Sequence, residues 1–147
     1  TLEGVLAQRL VRCICPDCRE GYQPDPTAVA VLAGRSVGSL TLERGRGCAA
    51  CRDTGYRGRT GIFELLCVTD ELRRTLAGGP DLTALRAVVR TQGMRTLKDE
   101  GWAKVQAGIT TVEEVLSVTA VQEAAPDLAP AAPAEEPAPA RPSRLAN

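Results

Sequence analysis

Apolar residues along this chain follow two different rhythms, which meet near Thr69. Before that point they fall in short stretches whose period changes; after it they settle into helical spacing broken by glycines. Leu2, Val5, Leu6 and Leu10 stand at helical spacing and predict an amphipathic helix over residues 1–11, with an apolar stripe that needs a partner surface. Pro24 and Pro26 then interrupt the chain. Thr27 can cap a two-turn helix over residues 28–33, carrying Val29, Val31 and Leu32, which Gly34 stops. Leu40 to Glu43 alternate as a short strand, and Ile62 to Leu66 have the β-branched and aromatic character of a buried one. Gly55, Gly58 and Gly61 between them predict turns or close backbone approach.

The second half predicts four short helices. Residues 70–77 end at Gly78-Gly79, and residues 81–92 present Leu82, Leu85, Val88 and Val89 on one face before Gly93. Thr96 and Asp99 form a capping-type pair that opens a helix running to Ala107 and ending at Gly108. Thr111 and Glu114 open the last, with Val112, Val115, Leu116 and Val118 as its apolar side. None is long enough to be stable alone, so they must pack together. From about residue 121 the composition turns to alanine, proline and glutamate. Repeated prolines remove backbone donors and alanine buries little area, so residues 121–147 read as a disordered tail.

Composition sharpens this outline. The 147 residues allow one ordinary domain or two small ones, and 18 basic against 18 acidic side chains give no bulk attraction to nucleic acid or anionic lipid. The 44% hydrophobic content is inflated by alanine; Tyr22, Tyr56, Phe63 and Trp102 are the only aromatics, so a core must be built of Leu and Val. No apolar run reaches the roughly 18 residues of a membrane span. The chain opens on Thr1, its only methionine is Met94, and its first residues read as the end of an upstream unit.

Candidate chemistry centres on Cys15-Pro16-Asp17-Cys18 and Cys48-Ala49-Ala50-Cys51. Two residues between the members of a pair let both sulfurs of a tight turn face one ion, and two such turns supply the tetrahedral set that Zn²⁺ prefers. With no histidine in the chain, the expected ligands are Cys15, Cys18, Cys48 and Cys51. Nothing near Thr1 resembles a secretory signal, so disulfides are the weaker reading. Four thiolates saturate a tetrahedral ion, which points to a structural rather than catalytic zinc. The cysteine-rich stretch is too small to fold comfortably on apolar burial alone, and the metal would supply the missing stabilisation. Loss of one of these cysteines is therefore expected to unfold residues 13–66 and leave the helices after Thr69 formed. Arg12, Arg19, Arg44, Arg46, Arg52, Arg57 and Arg59 crowd the stretch, and some are expected to offset the negative charge of the metal site. Cys13 and Cys67 read as bystander or packing thiols.

Other chemistries are missing from the sequence. There is no Gly-Lys-Ser/Thr, hence no Walker A phosphate loop; histidine catalysis is excluded; no Gly-x-Ser-x-Gly turn exists. Two rivals remain beside a structural zinc module. One is a stand-alone zinc ribbon for nucleic acid, weakened by the scarcity of stacking aromatics among the arginines. The other is a four-cysteine iron carrier, disfavoured because Arg19 and Arg52 stand where a glycine is usual.

Val5-Leu6-Ala7-Gln8-Arg9-Leu10-Val11-Arg12, the two cysteine pairs, the run Thr54 to Leu66 and Thr110-Thr111-Val112-Glu113-Glu114-Val115-Leu116 together resemble the bacterial type II secretion and type IV pilus assembly ATPase family, general secretory pathway protein E and its pilus counterpart. The likeness runs over residues 1 to about 120 in order; only the Ala/Pro tail departs from it. Gly93 to Leu97 and Leu65-Leu66 look more like the secretion branch. The resemblance implies that the family's P-loop core, with its ATP and Mg²⁺ site, lies upstream of this chain, which alone should not hydrolyse ATP. It implies a hexameric ring, peripheral on the cytoplasmic face of the inner membrane and working through inner-membrane platform proteins, with no nucleic-acid partner. The expected fold is α+β. Residues 1–12 would end the ATPase core, 13–68 form a four-cysteine zinc module with a short helix and a few strands, and 69–120 form a helical subdomain.

Overall fold

The computed structural model describes residues 2–79 and 81–120. Along the chain they form strand β1 (Gly4–Ile14), strand β2 (Arg19–Tyr22), helix α1 (Pro26–Ala33), strand β3 (Leu42–Gly45) and strand β4 (Tyr56–Cys67). Four helices follow: α2 (Asp70–Ala77), α3 (Leu82–Thr91), α4 (Leu97–Gln106) and α5 (Val112–Thr119). The α+β character and the succession of short helices agree with the reading of the sequence. The tail expected from residue 121 lies outside the described residues.

The helix expected over residues 1–11 is instead β1, which pairs antiparallel with β4 from Gly4↔Cys67 to Arg12↔Arg59, then slips register before Ile14↔Tyr56. The spacing of Leu6 and Leu10 could not discriminate. Four residues is close to one helical turn and is also an even number, so both periods place the two on one face. What decided the matter is β4, which pairs with β1 from Gly4 to Arg12 and again at Ile14. Val5 consequently moves to the face opposite Leu6.

The two faces of this ribbon have different fates. On the inner face Val11 and Ile62 are fully buried. On the outer face Leu6, Leu10, Phe63 and Leu65 are 44–61% exposed, forming a continuous apolar surface across both strands.

Local chemistry sets the helix limits. Asp25, rather than the expected Thr27, caps α1, its carboxylate accepting from Thr27 N at 3.1 Å and Ala28 N at 3.2 Å with Pro26 in the first turn. Gly34 ends the helix at φ 67°, as its position predicted. Thr69 caps α2, Asp81 caps α3, and Thr96 with Asp99 forms the reciprocal capping box of α4. Thr111 caps α5 through Glu114 N, but the Glu114 carboxylate turns away from the cap. The strand expected at Leu40–Glu43 is displaced to Leu42–Gly45, where β2 supplies its partner.

The core joins the ribbon, α1, β3, α4 and α5. Val11 and Ile62 of the ribbon, Val29 and Leu32 of α1, and Leu42 of β3 meet Leu97 and Val105 of α4 and Val112 and Val115 of α5 in one cluster. Burying a side chain of this size is worth about 1.5–3 kcal/mol. Residues on both sides of Thr69 therefore depend on the same apolar contacts. Gly101 lets α4 and α5 approach closely, since a Cβ there would overlap Val115 Cγ1. Among the described residues no helix is long and apolar enough to cross a membrane.

Candidate metal centre

The antiparallel hairpin of β2 and β3 explains how two cysteine pairs far apart in sequence reach one point. Arg19, immediately after Cys18, pairs with Gly45, three residues before Cys48. The chain leaves the first pair, turns over α1 and returns beside its starting point. Each pair sits on a short 3₁₀ turn, Pro16–Cys18 and Ala49–Cys51. After the second turn Arg52 and Asp53 are left-handed at φ 52° and 58°, reversing the chain so that Asp53 N reaches Cys48 O at 2.9 Å. Gly45 and Gly55 cross here with no room for a side chain: a Cβ on Gly45 would overlap Gly55 O.

Cys15, Cys18, Cys48 and Cys51 converge, with their four sulfurs within 4.8 Å of one another. Cys15 to Cys48 is 3.9 Å, Cys18 to Cys51 3.9 Å and Cys48 to Cys51 3.7 Å. A disulfide would require about 2.05 Å. A tetrahedral ion with metal–sulfur bonds of about 2.3 Å has edges of about 3.8 Å, which these separations match. Cys15, Cys18 and Cys51 are buried and Cys48 half-buried. A bound Zn²⁺ would tie both turns together and, with four sulfurs around it, would have no open position for substrate.

Backbone donors point at the sulfurs as thiolates require. Cys48 N and Gly55 N donate to Cys51 Sγ at 3.2 and 3.3 Å. Burial opposes ionisation of Cys51, but these two N–H groups and the neighbouring thiols outweigh it and bring its pKa down to about 6. Burial pushes the Cys18 thiol up to about 12, against the donation of Gly47 N. Metal binding would displace the protons that the four thiols carry.

Four of the surrounding arginines make ion pairs with carboxylates. Arg19 pairs with Glu43 at 2.9 Å, Arg44 with Glu20 at 3.0 Å and Arg57 with Asp17 at 3.0 Å, bracing β2, β3 and the first turn. Arg12 reaches α5. Its Nε donates to Glu114 Oε2 at 2.8 Å and its backbone N to Oε1 at 2.9 Å, while the guanidinium lies 4.2 Å from the Tyr56 ring centre. Tyr56 Oη in turn bonds Thr111 Oγ1 at 2.8 Å. Glu114 is 6% exposed; burial works against its charge, but the Arg12 side-chain and backbone donors hold its carboxyl below the usual range.

Sequence reasoning missed this cluster, because nothing local connects Arg12 with a residue of the last helix. It bears on the metal centre directly. Thr110 Oγ1 donates to Arg12 O at 2.8 Å and Ile14 N to Ile109 O at 2.9 Å, so the turn before α5 holds the strand that delivers Cys15. Cys13, expected as a buried or bystander thiol, stays out of the thiol cluster, as does Cys67, whose expected packing role the structure contradicts. Cys13 is half-buried and Cys67 exposed.

Residues 1–117 match the family model described as "Type II/IV secretion system protein". The type II secretion system protein E of Pseudomonas aeruginosa is 46% identical over 116 residues, covering 79% of this chain and 23% of that protein. The type IV pilus assembly ATPase PilB of Thermus thermophilus is 42% identical over 120 residues, 80% of this chain and 14% of its own length. The type II secretion system ATPase E of Vibrio cholerae is 43% identical over 119 residues, 81% and 24% of the two chains. The chain thus spans less than a quarter of the length of these relatives. From the family match along most of its length, with the cysteine cluster inside the matched region, the chain belongs to the type II/IV secretion system protein family.

Proposed function

We propose that this chain is the C-terminal part of a hexameric P-loop ATPase that powers type II protein secretion through pseudopilus assembly. In this reading residues 1–12 end the ATPase core, 13–68 are a structural zinc module and 69–120 a helical subdomain for ring assembly and partner contact. ATP and Mg²⁺ would bind in a preceding core, since no phosphate loop occurs in these residues. The ring would sit on the cytoplasmic face of the inner membrane and act through platform proteins embedded there. The observation that carries the reading is the match over residues 1–117, whose relatives include a secretion ATPase and a pilus assembly ATPase. The exposed Leu6, Leu10, Phe63 and Leu65 support it as well, because an apolar sheet face of this extent fits burial against a neighbouring domain.

Within that assembly the four thiols serve stability. Zinc would supply a cross-link holding the ends of the β2–β3 hairpin, and the residues of this chain do the rest: the N–H groups of Cys48 and Gly55 stabilise charge on Cys51 Sγ, and Arg12 with Glu114 fixes α5 on β1. A chimera tests the proposal. Residues 1–120 replace the matching segment of the Pseudomonas aeruginosa protein, and secretion is measured in a strain lacking that protein. Restored secretion, lost again with Cys48→Ser, is expected; a chimera that folds and hydrolyses ATP yet never restores secretion contradicts it, as does ATP turnover by the 147-residue chain alone.

A further inference from the structure

The α2–α3 hairpin stands beside the inner face of the ribbon, but the two do not close on each other. Between them lies a groove of about 510 Å³, floored by Val5 and Leu66 of the ribbon and walled by Leu72, Leu85, Val89 and Met94. Helix α3 buries none of its residues, although Leu82, Leu85, Val88 and Val89 recur at helical spacing on it. An apolar wall of this kind exposed to water is costly, and covering it is favourable at roughly 25 cal/mol per Å².

The charges at the groove limit what can cover it. Arg86 and Arg90, one helical turn apart on α3, line it, and neither meets a carboxylate among the described residues. The acidic side chain in the lining is Glu64, whose Oε2 already accepts from Leu97 N at 3.0 Å. The wall formed by α3 is about 15 Å long at the usual helical rise, room for a facing helix of about three turns. Met94 adds an adaptable apolar contact.

We infer that this groove docks an amphipathic helix of a partner protein whose apolar stripe is flanked by carboxylates, laid with its apolar side on Leu85 and Val89 and its acids against Arg86 and Arg90. The inference rests on the partner-contact role proposed above and names the chemistry of the partner.

A labelled designed peptide of about 15 residues, with Leu at i, i+3, i+4 and i+7 and Glu on both flanks, is titrated with the 147-residue chain and followed by fluorescence anisotropy. Its counterpart carries Lys in place of Glu. Saturable binding is expected for the Glu peptide, at least about tenfold weaker for the Lys peptide and weakened by salt. Arg86→Glu with Arg90→Glu, both exposed at the groove, should invert the preference; Val89→Asp should abolish binding with the helical circular dichroism retained. If Val89→Asp disturbs the fold, the charge reversal alone carries the test. Equal binding of the two peptides, no inversion, or no saturation overturns the inference. No nucleotide enters the measurement, so such a failure leaves the secretion ATPase reading where it stood.

Discussion

Glu114→Ala removes the acceptor that joins α5 to β1, and its cost can be worked out bond by bond. The wild-type carboxylate, 6% exposed, accepts from Arg12 N, Nε and Nη2. A hydrogen bond to a charged group contributes about 1.5–3 kcal/mol, but the Arg12 side chain is 53% exposed and recovers most of its solvation in the mutant. The backbone N–H of Arg12, in a part-buried contact, loses its acceptor at about 1–3 kcal/mol. Counting that group in full and the guanidinium at a fraction gives a loss of about 2–4 kcal/mol, a large share of the 5–15 kcal/mol typical of a domain. Urea denaturation followed through Trp102, the only tryptophan and one packed against the core, measures it directly. A double-mutant cycle with Arg12→Ala separates the pair term from the effects of truncation. A midpoint shift equivalent to less than about 0.5 kcal/mol, or strict additivity in the cycle, would refute the idea that this pair fixes α5 on the strand leading to Cys15.

The same carboxylate makes stability depend on acid. Its folded pKa is depressed, so its contribution is fully present above the unfolded value of about 4.3 and is lost as pH falls through the folded one; the gap between wild type and Glu114→Gln should close below about pH 4, and a gap independent of pH contradicts the assignment. Purified chain should carry one zinc per molecule by metal analysis. Cys48→Ser should release it and, because α1 and β3 share their core with α4 and α5, should also loosen the last two helices, read as lost protection in amide hydrogen exchange; retained stoichiometric zinc would sink the four-ligand site. Gly101→Ala gains about 1 kcal/mol in helix propensity but overpacks Val115 at about 1–3 kcal/mol, so the urea midpoint should fall; a rise would show that α4 and α5 separate freely.

The zinc prediction shows how the structure revised the view from sequence. Read along the chain, residues 13–66 and the helices after Thr69 look able to fold apart, and a lost cysteine should spare the helices. In space Val29, Leu32 and Leu42 pack on Leu97, Val105, Val112 and Val115, so metal binding and helix packing support one cluster. No periodicity within either segment reveals that its apolar face is completed by the other.

Features settled within a few residues are legible along the chain. Thr69, Asp81, Thr96 and Thr111 cap their helices because each hydroxyl or carboxylate reaches N–H groups of its own first turn, and the two Cys-x-x-Cys spacings form turns whose sulfurs share a side. Tertiary structure decided the rest. Strand β1 could have been a helix by its own pattern, and β4, a strand more than forty residues later, fixed it through register. Glu114 could have completed its own capping box, and an arginine at the other end of the chain took its carboxylate. Both outcomes turn on satisfying polar groups across long loops. Backbone and charge find partners by proximity in space, which local spacing does not encode.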